Sequence, residues 1–195
     1  VRLNVFATPE LVKAEGFDVV LVAVGSEPNI PDIPGAFGAN VHMPISVYGH
    51  HSRLGENVVV IGGSETGTET GLYLAMNGHK VTVLTRQGVL APEAAQVHYV
   101  EMLHNACKRE PNFSHIIHAT TTRIDPDGVV YVDGKGREHK LNCDDVVLSG
   151  GVKPRIEQAM AFYGSADRFY LVGDCERPGS IQSCTRSAFA TASQI

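Results

Sequence analysis

The sequence predicts an α/β fold built on a parallel sheet, and three features predict it. Two runs of consecutive β-branched and aliphatic residues, DVVLVAV at 18–24 and NVVVI at 57–61, are continuously apolar rather than alternating. Such runs read as strands buried on both faces, as in a parallel sheet covered on each side. The second run leads straight into a Gly-rich turn, a helical stretch up to about Asn77, and a third strand, KVTVLT at 80–85. Strand, turn, helix and strand within about 30 residues make a βαβ unit, whose crossover is right-handed in nearly all proteins.

Bulk properties narrow the possibilities. The 195 residues suffice for one domain plus pieces of a second. With 43 % hydrophobic and 19 % charged residues, the chain is globular rather than disordered. A formal charge of -5 argues against nucleic acid as a partner, because tracking phosphates needs excess Lys and Arg. No apolar run approaches the ~20 residues of a membrane span, and no leader pattern opens the chain, so a soluble cytoplasmic protein without a membrane partner is expected. The four cysteines, Cys107, Cys143, Cys175 and Cys184, are scattered without a C-x-x-C. That spacing suits structural thiols in a reducing compartment rather than zinc or a redox dithiol. His50 and His51 are adjacent and read as loop residues, so no metal site is expected. Val1 precedes a strand-like segment almost at once, which leads us to expect part of a larger chain or a processed terminus.

The elements follow in order. After the first strand, Gly25 opens a stretch containing Pro28, Pro31 and Pro34, which denies the backbone donors and reads as a stiff extended connector and domain boundary. After NVVVI and the turn, Leu72, Leu74, Ala75 and Met76 supply the apolar content of the helix, and Gly78 stops it. A second amphipathic helix is expected over residues 93–108, with Val100, Leu103 and Cys107 at helical spacing. Residues 115–132 are strand-rich, and Asp133-Gly134-Lys135-Gly136 reads as a hairpin turn. A buried strand at 145–148 ends at Gly150-Gly151, a short one at 169–172 runs into Gly173-Asp174, and the last stretch from about 181 is helical.

The turn after Ile61 carries the chemistry. A dinucleotide fingerprint needs a first Gly for the tight turn, a second for close approach to the pyrophosphate, and a third for helix–strand packing. Gly62 and Gly67 fill the first and third positions, Ser64 stands at the second, and Gly63, Glu65 and Thr66 complete the turn. Phosphates would sit at the helix N-terminus, where free N–H groups favour negative charge. The bulk of Ser64 should weaken that approach. The strand–turn–helix context favours this reading over the alternative of a glycine turn that binds nothing. An NAD site expects Asp or Glu at the end of the following strand, yet Thr85 and then Arg86 stand there, with no acidic residue between Glu69 and Glu93. Arg86 is either a donor fork for a 2′-phosphate, which would favour NADPH over NADH, or a solvated surface charge.

Four segments in this order, VVLVAVGSEPNIPDIPG, VVVIGGSETGTETGLYLAMNGHKVTVL, VVLSGGVKP and YLVGDC, resemble the pyridine-nucleotide-dependent flavoprotein reductases with two dinucleotide-binding domains. More narrowly, the chain resembles the C-terminal region of the enoate and 2,4-dienoyl-CoA reductases, relatives of trimethylamine dehydrogenase. The resemblance implies a Rossmann-like NAD(P)-binding domain at 36–150, flanked by FAD-domain remnants at 1–35 (with the linker) and 151–195. It places Gly62, Gly63, Ser64 and Gly67 under the pyrophosphate of NADP or NAD, and Glu69 near the nicotinamide end. It places Gly25 in the turn linking the two domains, where Val24 departs from the family's Thr. Asp174 matches an Asp that holds the ribityl chain of FAD, unless it simply caps the next segment. No first fingerprint, flavin-bearing barrel or iron–sulfur cysteine cluster is present, so FAD would belong to the full-length parent. The remnants must then pair, DVVLVAV beside FYLVGD. The implied function is the dinucleotide-binding part of an enzyme that passes hydride from NAD(P)H to flavin, inactive alone and with no catalytic residue of its own. The alternative is a noncatalytic nucleotide-binding or regulatory module.

Overall fold

The computed structural model describes residues 1–94 and 96–195. In chain order its helices are α1 (Pro9–Glu15), α2 (Pro44–Val47), α3 (Glu65–Met76), α4 (Val97–Arg109), α5 (Ile156–Met160) and α6 (Ile181–Ala192). Its strands are β1 (Val19–Val22), β2 (Ser26–Pro28), β3 (Val41–His42), β4 (Asn57–Ile61), β5 (Lys80–Leu84), β6 (Phe113–Ile116), β7 (Thr120–Asp125), β8 (Gly128–Val132), β9 (Glu138–Asn142), β10 (Asp145–Leu148), β11 (Val152–Pro154) and β12 (Arg168–Leu171). They fall into two compact units, Val1–Asn29 with Val152–Ile195, and Ile30–Gly151. None of the described helices is long and apolar enough to cross a membrane.

The larger unit is organised by five parallel strands in the order β3-β10-β4-β5-β6. The apolar run at 57–61 has the two-sided burial that its composition predicts. Val58, Val60, Val81 and Val83 pack on one face with Leu74 and Ala75 of α3. On the other, Val59, Leu84 and Val146 pack against Ala119, Ile124, Val129 and Tyr131. The second layer is the antiparallel meander β7-β8-β9, inserted between β6 and β10. Strand order reverses at β4, with β5 on one side and β10 on the other. The crevice at such a switch point, beyond the strands' carboxyl ends, is where open α/β sheets bind ligands. Here it lies past Ile61 and Leu148, which pair directly.

The smaller unit joins the two ends of the chain. β1 and β12 pair in parallel from Val19↔Arg168 to Val22↔Leu171, the pairing that the two flanking apolar runs require. Val20, Val22, Ala159 and Cys175 form its core. Leu21, however, is 45 % exposed, so this run is buried on one face and not on both. Among the described residues the pair has no further strand in its sheet, and periodicity alone could not reveal that.

Two other expectations need correction. The stretch read as a bare connector contributes β2, which pairs antiparallel with β11, Pro28 opposite Val152. The second amphipathic helix starts at Val97 rather than at 93. Glu93 turns back toward α3, as described below, and Ala95 lies outside the described residues. His51 belongs to a one-turn 3-10 helix (His51–Arg53), and its Nδ1 lies 3.4 Å from Nε2 of buried His79. All four cysteines are free thiols, and burial pushes Cys107 and Cys143 up to about 11.

The β8–β9 hairpin turns where the sequence places it, around Asp133. One oxygen of that carboxylate accepts from the amides of Lys135 and Arg137, the other from Arg137 Nε and His139 Nε2. These bonds, the one from His139 foremost, hold the carboxyl well below the usual carboxylate range. A lowered folded-state pKa stabilises above the unfolded pKa of about 3.9, and that contribution is lost as pH falls through and below it. Asp133→Asn should therefore lose less urea resistance than the wild type between pH 6 and pH 3. Parallel pH profiles of the two proteins would contradict this.

Candidate functional site

The site begins with glycines that leave no room for a side chain where they stand. Gly62 has φ of 111°, and a Cβ there would run into the carbonyl oxygen of Ser149, the residue after β10. A Cβ on Gly63 would come within 2.7 Å of Thr85 Cβ. A Cβ on Gly67 would overlap the carbonyl oxygen of Gly62. β4, the turn and α3 can approach this closely only because all three side chains are missing.

Ser64 is the N-cap of α3, and its Oγ accepts from the amide of Gly67 at 3.4 Å. Its hydroxyl is engaged on the helix, a role the fingerprint reading did not assign. Buried Thr68 ties the helix back to the turn by donating to the carbonyl of Gly63. Among the described residues, the amides of Gly63, Ser64 and Thr66 have no hydrogen-bond partner. A bare glycine cradle, three unpartnered amides and a twelve-residue helix behind them fit a pyrophosphate.

The acidic residues around the cradle are placed in ways that the sequence did not disclose. Glu69 accepts a hydrogen bond from the hydroxyl of Tyr99 on α4. That bond, with burial second, raises the Tyr99 hydroxyl well above an ordinary phenol. Glu93 Oε1 accepts from the amide of Glu65, the first of α3, at 2.6 Å. Burial raises the Glu65 carboxyl above its ordinary value, and the charges of Glu69 and Glu93 raise it further. The loop carrying Glu93 is fixed by the amide of Ala91, which donates to the carbonyl of Gly63 at 2.7 Å. Leu90 and Ala91 are both buried.

At the end of β5, Thr85 is 3 % exposed, and its Oγ1 accepts from the amide of Gln87. Its side chain packs beside Gly63 and so stabilises the turn. Arg86 is exposed and forms no ion pair among the described residues.

Gly25 and Asp174 belong to the smaller unit. Gly25 has φ of 74° and its carbonyl accepts from the amide of Arg155. Asp174 gathers three donors: the hydroxyl of Ser26, the amide of Gly179 and the thiol of Cys184. The carboxylate thus fixes the loop leading into α6, and Ser26, next to Gly25, is brought to it across 148 positions of sequence. Among the described residues no group of His, Cys, Asp and Glu could hold a metal ion.

The family model described as pyridine nucleotide-disulphide oxidoreductase matches residues 5–188. The chain is 32 % identical to an NADH oxidase of Thermoanaerobacter brockii and 29 % identical to a bilirubin reductase of Mediterraneibacter gnavus (strain CC55_001C). Each match covers 100 % of this chain and 30 % of the relative. The chain thus spans under a third of the length of these curated relatives. A solved 2-naphthoyl-CoA reductase complex superposes with a TM-score of 0.91 at 26 % identity, over 100 % of this chain and 29 % of that one.

Proposed function

The chain belongs to the pyridine nucleotide-disulphide oxidoreductase family, and we propose that it is the nicotinamide-dinucleotide-binding part of a larger flavin-dependent oxidoreductase. The observation that carries this is the cradle at residues 62–67, set at the switch point of a parallel sheet, with the amides of Gly63, Ser64 and Thr66 open among the described residues. In this reading Gly62, Gly63, Ser64, Glu65, Thr66 and Gly67 hold the pyrophosphate. Glu69, oriented by Tyr99, lies toward the nicotinamide end, and Arg86 meets the 2′-phosphate of NADPH. When bound, the nicotinamide supplies a hydride and a flavin accepts it. The chain contributes binding, orientation and exclusion of water, and no general base.

The smaller unit would then complete an FAD-binding domain in the parent, with Asp174 and the Gly25-Ser26 turn on the flavin side. The pairing of β1 with β12 supports this, since a two-stranded parallel sheet is a small base for an independent domain. The likeness to bilirubin reductase, to 2-naphthoyl-CoA reductase and to a cinnamate reductase of Clostridium sporogenes, 28 % identical, supports the narrower reading as part of an enoate-reductase-like enzyme. Relatives more than three times its length supply room for a barrel and an iron–sulfur domain.

The test is titration of the chain with NADPH and NADH. Binding of neither at millimolar concentration would refute the assignment. NADPH should bind roughly tenfold more tightly, through a charge-assisted bond from Arg86 to the 2′-phosphate. Arg86→Ala should remove that preference while leaving NADH affinity unchanged. A variant that still prefers NADPH would place the selectivity elsewhere.

A further inference from the structure

We infer that Glu93 is a built-in competitor for the dinucleotide, a carboxylate seated on the phosphate-binding end of α3 that the ligand must displace. The inference rests on the assignment of residues 62–67 as the pyrophosphate cradle.

The geometry is specific. The amide of Glu65 is the first of α3, so it points out of the helix toward the position where the cradle would hold phosphate oxygens. Glu93 Oε1 sits 2.6 Å from that amide, a short charge-assisted bond. The neighbouring amides of Gly63, Ser64 and Thr66 have no partner among the described residues, so one donor of the set is taken by the protein itself while the rest stay open. The Glu93 carboxylate arrives on a loop anchored to the cradle: Ala91 donates to the carbonyl of Gly63, and His104 Nε2 lies 2.9 Å from the carbonyl of Leu90. This loop is thus held against the very turn the ligand needs.

Charge reinforces the effect. Glu65 and Glu69 already flank the helix start, and the raised carboxyl of Glu65 reflects burial first, then the proximity of Glu69 and Glu93. A pyrophosphate entering the cradle would meet Glu93 as a like charge on a shared donor. Bound ligand and seated Glu93 exclude one another. The apparent affinity is therefore reduced by the fraction of molecules in which Glu93 has left. If the seated form dominates by about ten to one, removing the carboxylate tightens binding about tenfold. The same side chain is the first acidic residue after β5, and it is directed at the helix start.

The experiment is calorimetric titration of the 195-residue chain and of Glu93→Ala and Glu93→Gln with NADPH, NADH and inorganic pyrophosphate. Folding of each protein is checked by circular dichroism. Glu93→Ala should bind both dinucleotides about tenfold more tightly and should bind pyrophosphate more tightly as well. Glu93→Gln, which keeps a neutral acceptor, should fall between it and the wild type. If Glu93→Ala does not fold, tighter binding by Glu93→Gln carries the result. Unchanged or weaker binding by the folded variants, with the wild type still binding, overturns the competitor role alone; weaker binding would make Glu93 a ligand contact. Failure of all three proteins to bind either dinucleotide at millimolar concentration overturns the cradle assignment and this inference together.

Discussion

Gly67→Ala should cost the larger unit about 3 kcal/mol of stability and lower dinucleotide affinity at least about tenfold. The new methyl would overlap the carbonyl oxygen of Gly62 and press on Ser149 Cβ, 3.2 Å away. Neither obstacle is a flexible side-chain end: one is backbone and the other is the root of a side chain. Either the start of α3 moves away from the turn or the turn moves away from Ser149, and both displace the open amides. Urea denaturation and NADPH titration of the same preparation measure the two losses. Gly78→Ala is the control. Gly78, unlike helical Gly67, has a positive φ, 95°, and nothing lies near its missing Cβ. Strain alone should cost it about 1 kcal/mol, with affinity unchanged. Equal behaviour of the two variants would mean that close packing at Gly67 is unimportant.

The contrast between these glycines shows which parts of the molecule were legible in the sequence. Where structure follows from neighbours along the chain, the reading succeeded. NVVVI, its turn, the stop at Gly78 and KVTVLT are local in that sense, and β4, α3 and β5 occupy those positions. The hairpin at Asp133 is local too, since its carboxylate bonds residues two, four and six positions away. The reading failed where a long-range bond decided the outcome. Glu93 belongs to an apparent helical stretch by composition, but the bond from Ala91 to Gly63 pulls its loop onto the turn. Ala91 adopts φ of 49°, a left-handed conformation that no propensity assigns to alanine. Thr85 stands at the strand end where an NAD site expects an acid, and only the fold reveals that its side chain is buried beside Gly63. For Leu21, an apolar run states what could be covered, and only the sheet's strand count states what is.

Leu74→Ala should destabilise as strongly as Gly67→Ala yet leave the cradle able to bind, and that separation tests how the site is supported. Leu74 is completely buried among Val58, Val60, Val81 and Val83, where α3 rests on β4 and β5. Truncation removes favourable burial and leaves a cavity, at a cost of about 3 kcal/mol. It lies two turns along the helix from Gly67, and the turn's own bonds, from Thr68 to Gly63 and from Gly67 to Ser64, do not involve it. A ligand that binds only the folded state returns stability by mass action, about 2.7 kcal/mol at a hundred times its Kd. NADPH at that concentration should therefore bring the urea midpoint of Leu74→Ala back close to that of the unliganded wild type. The affinity of the folded variant should stay within about threefold of the wild type, a shift of under ~0.7 kcal/mol. Gly67→Ala at the same NADPH concentration should show far less recovery, because its loss lies in the cradle itself. A Leu74→Ala protein that NADPH cannot rescue, while the wild type binds it, would mean that the cradle takes shape only when the whole of α3 is seated.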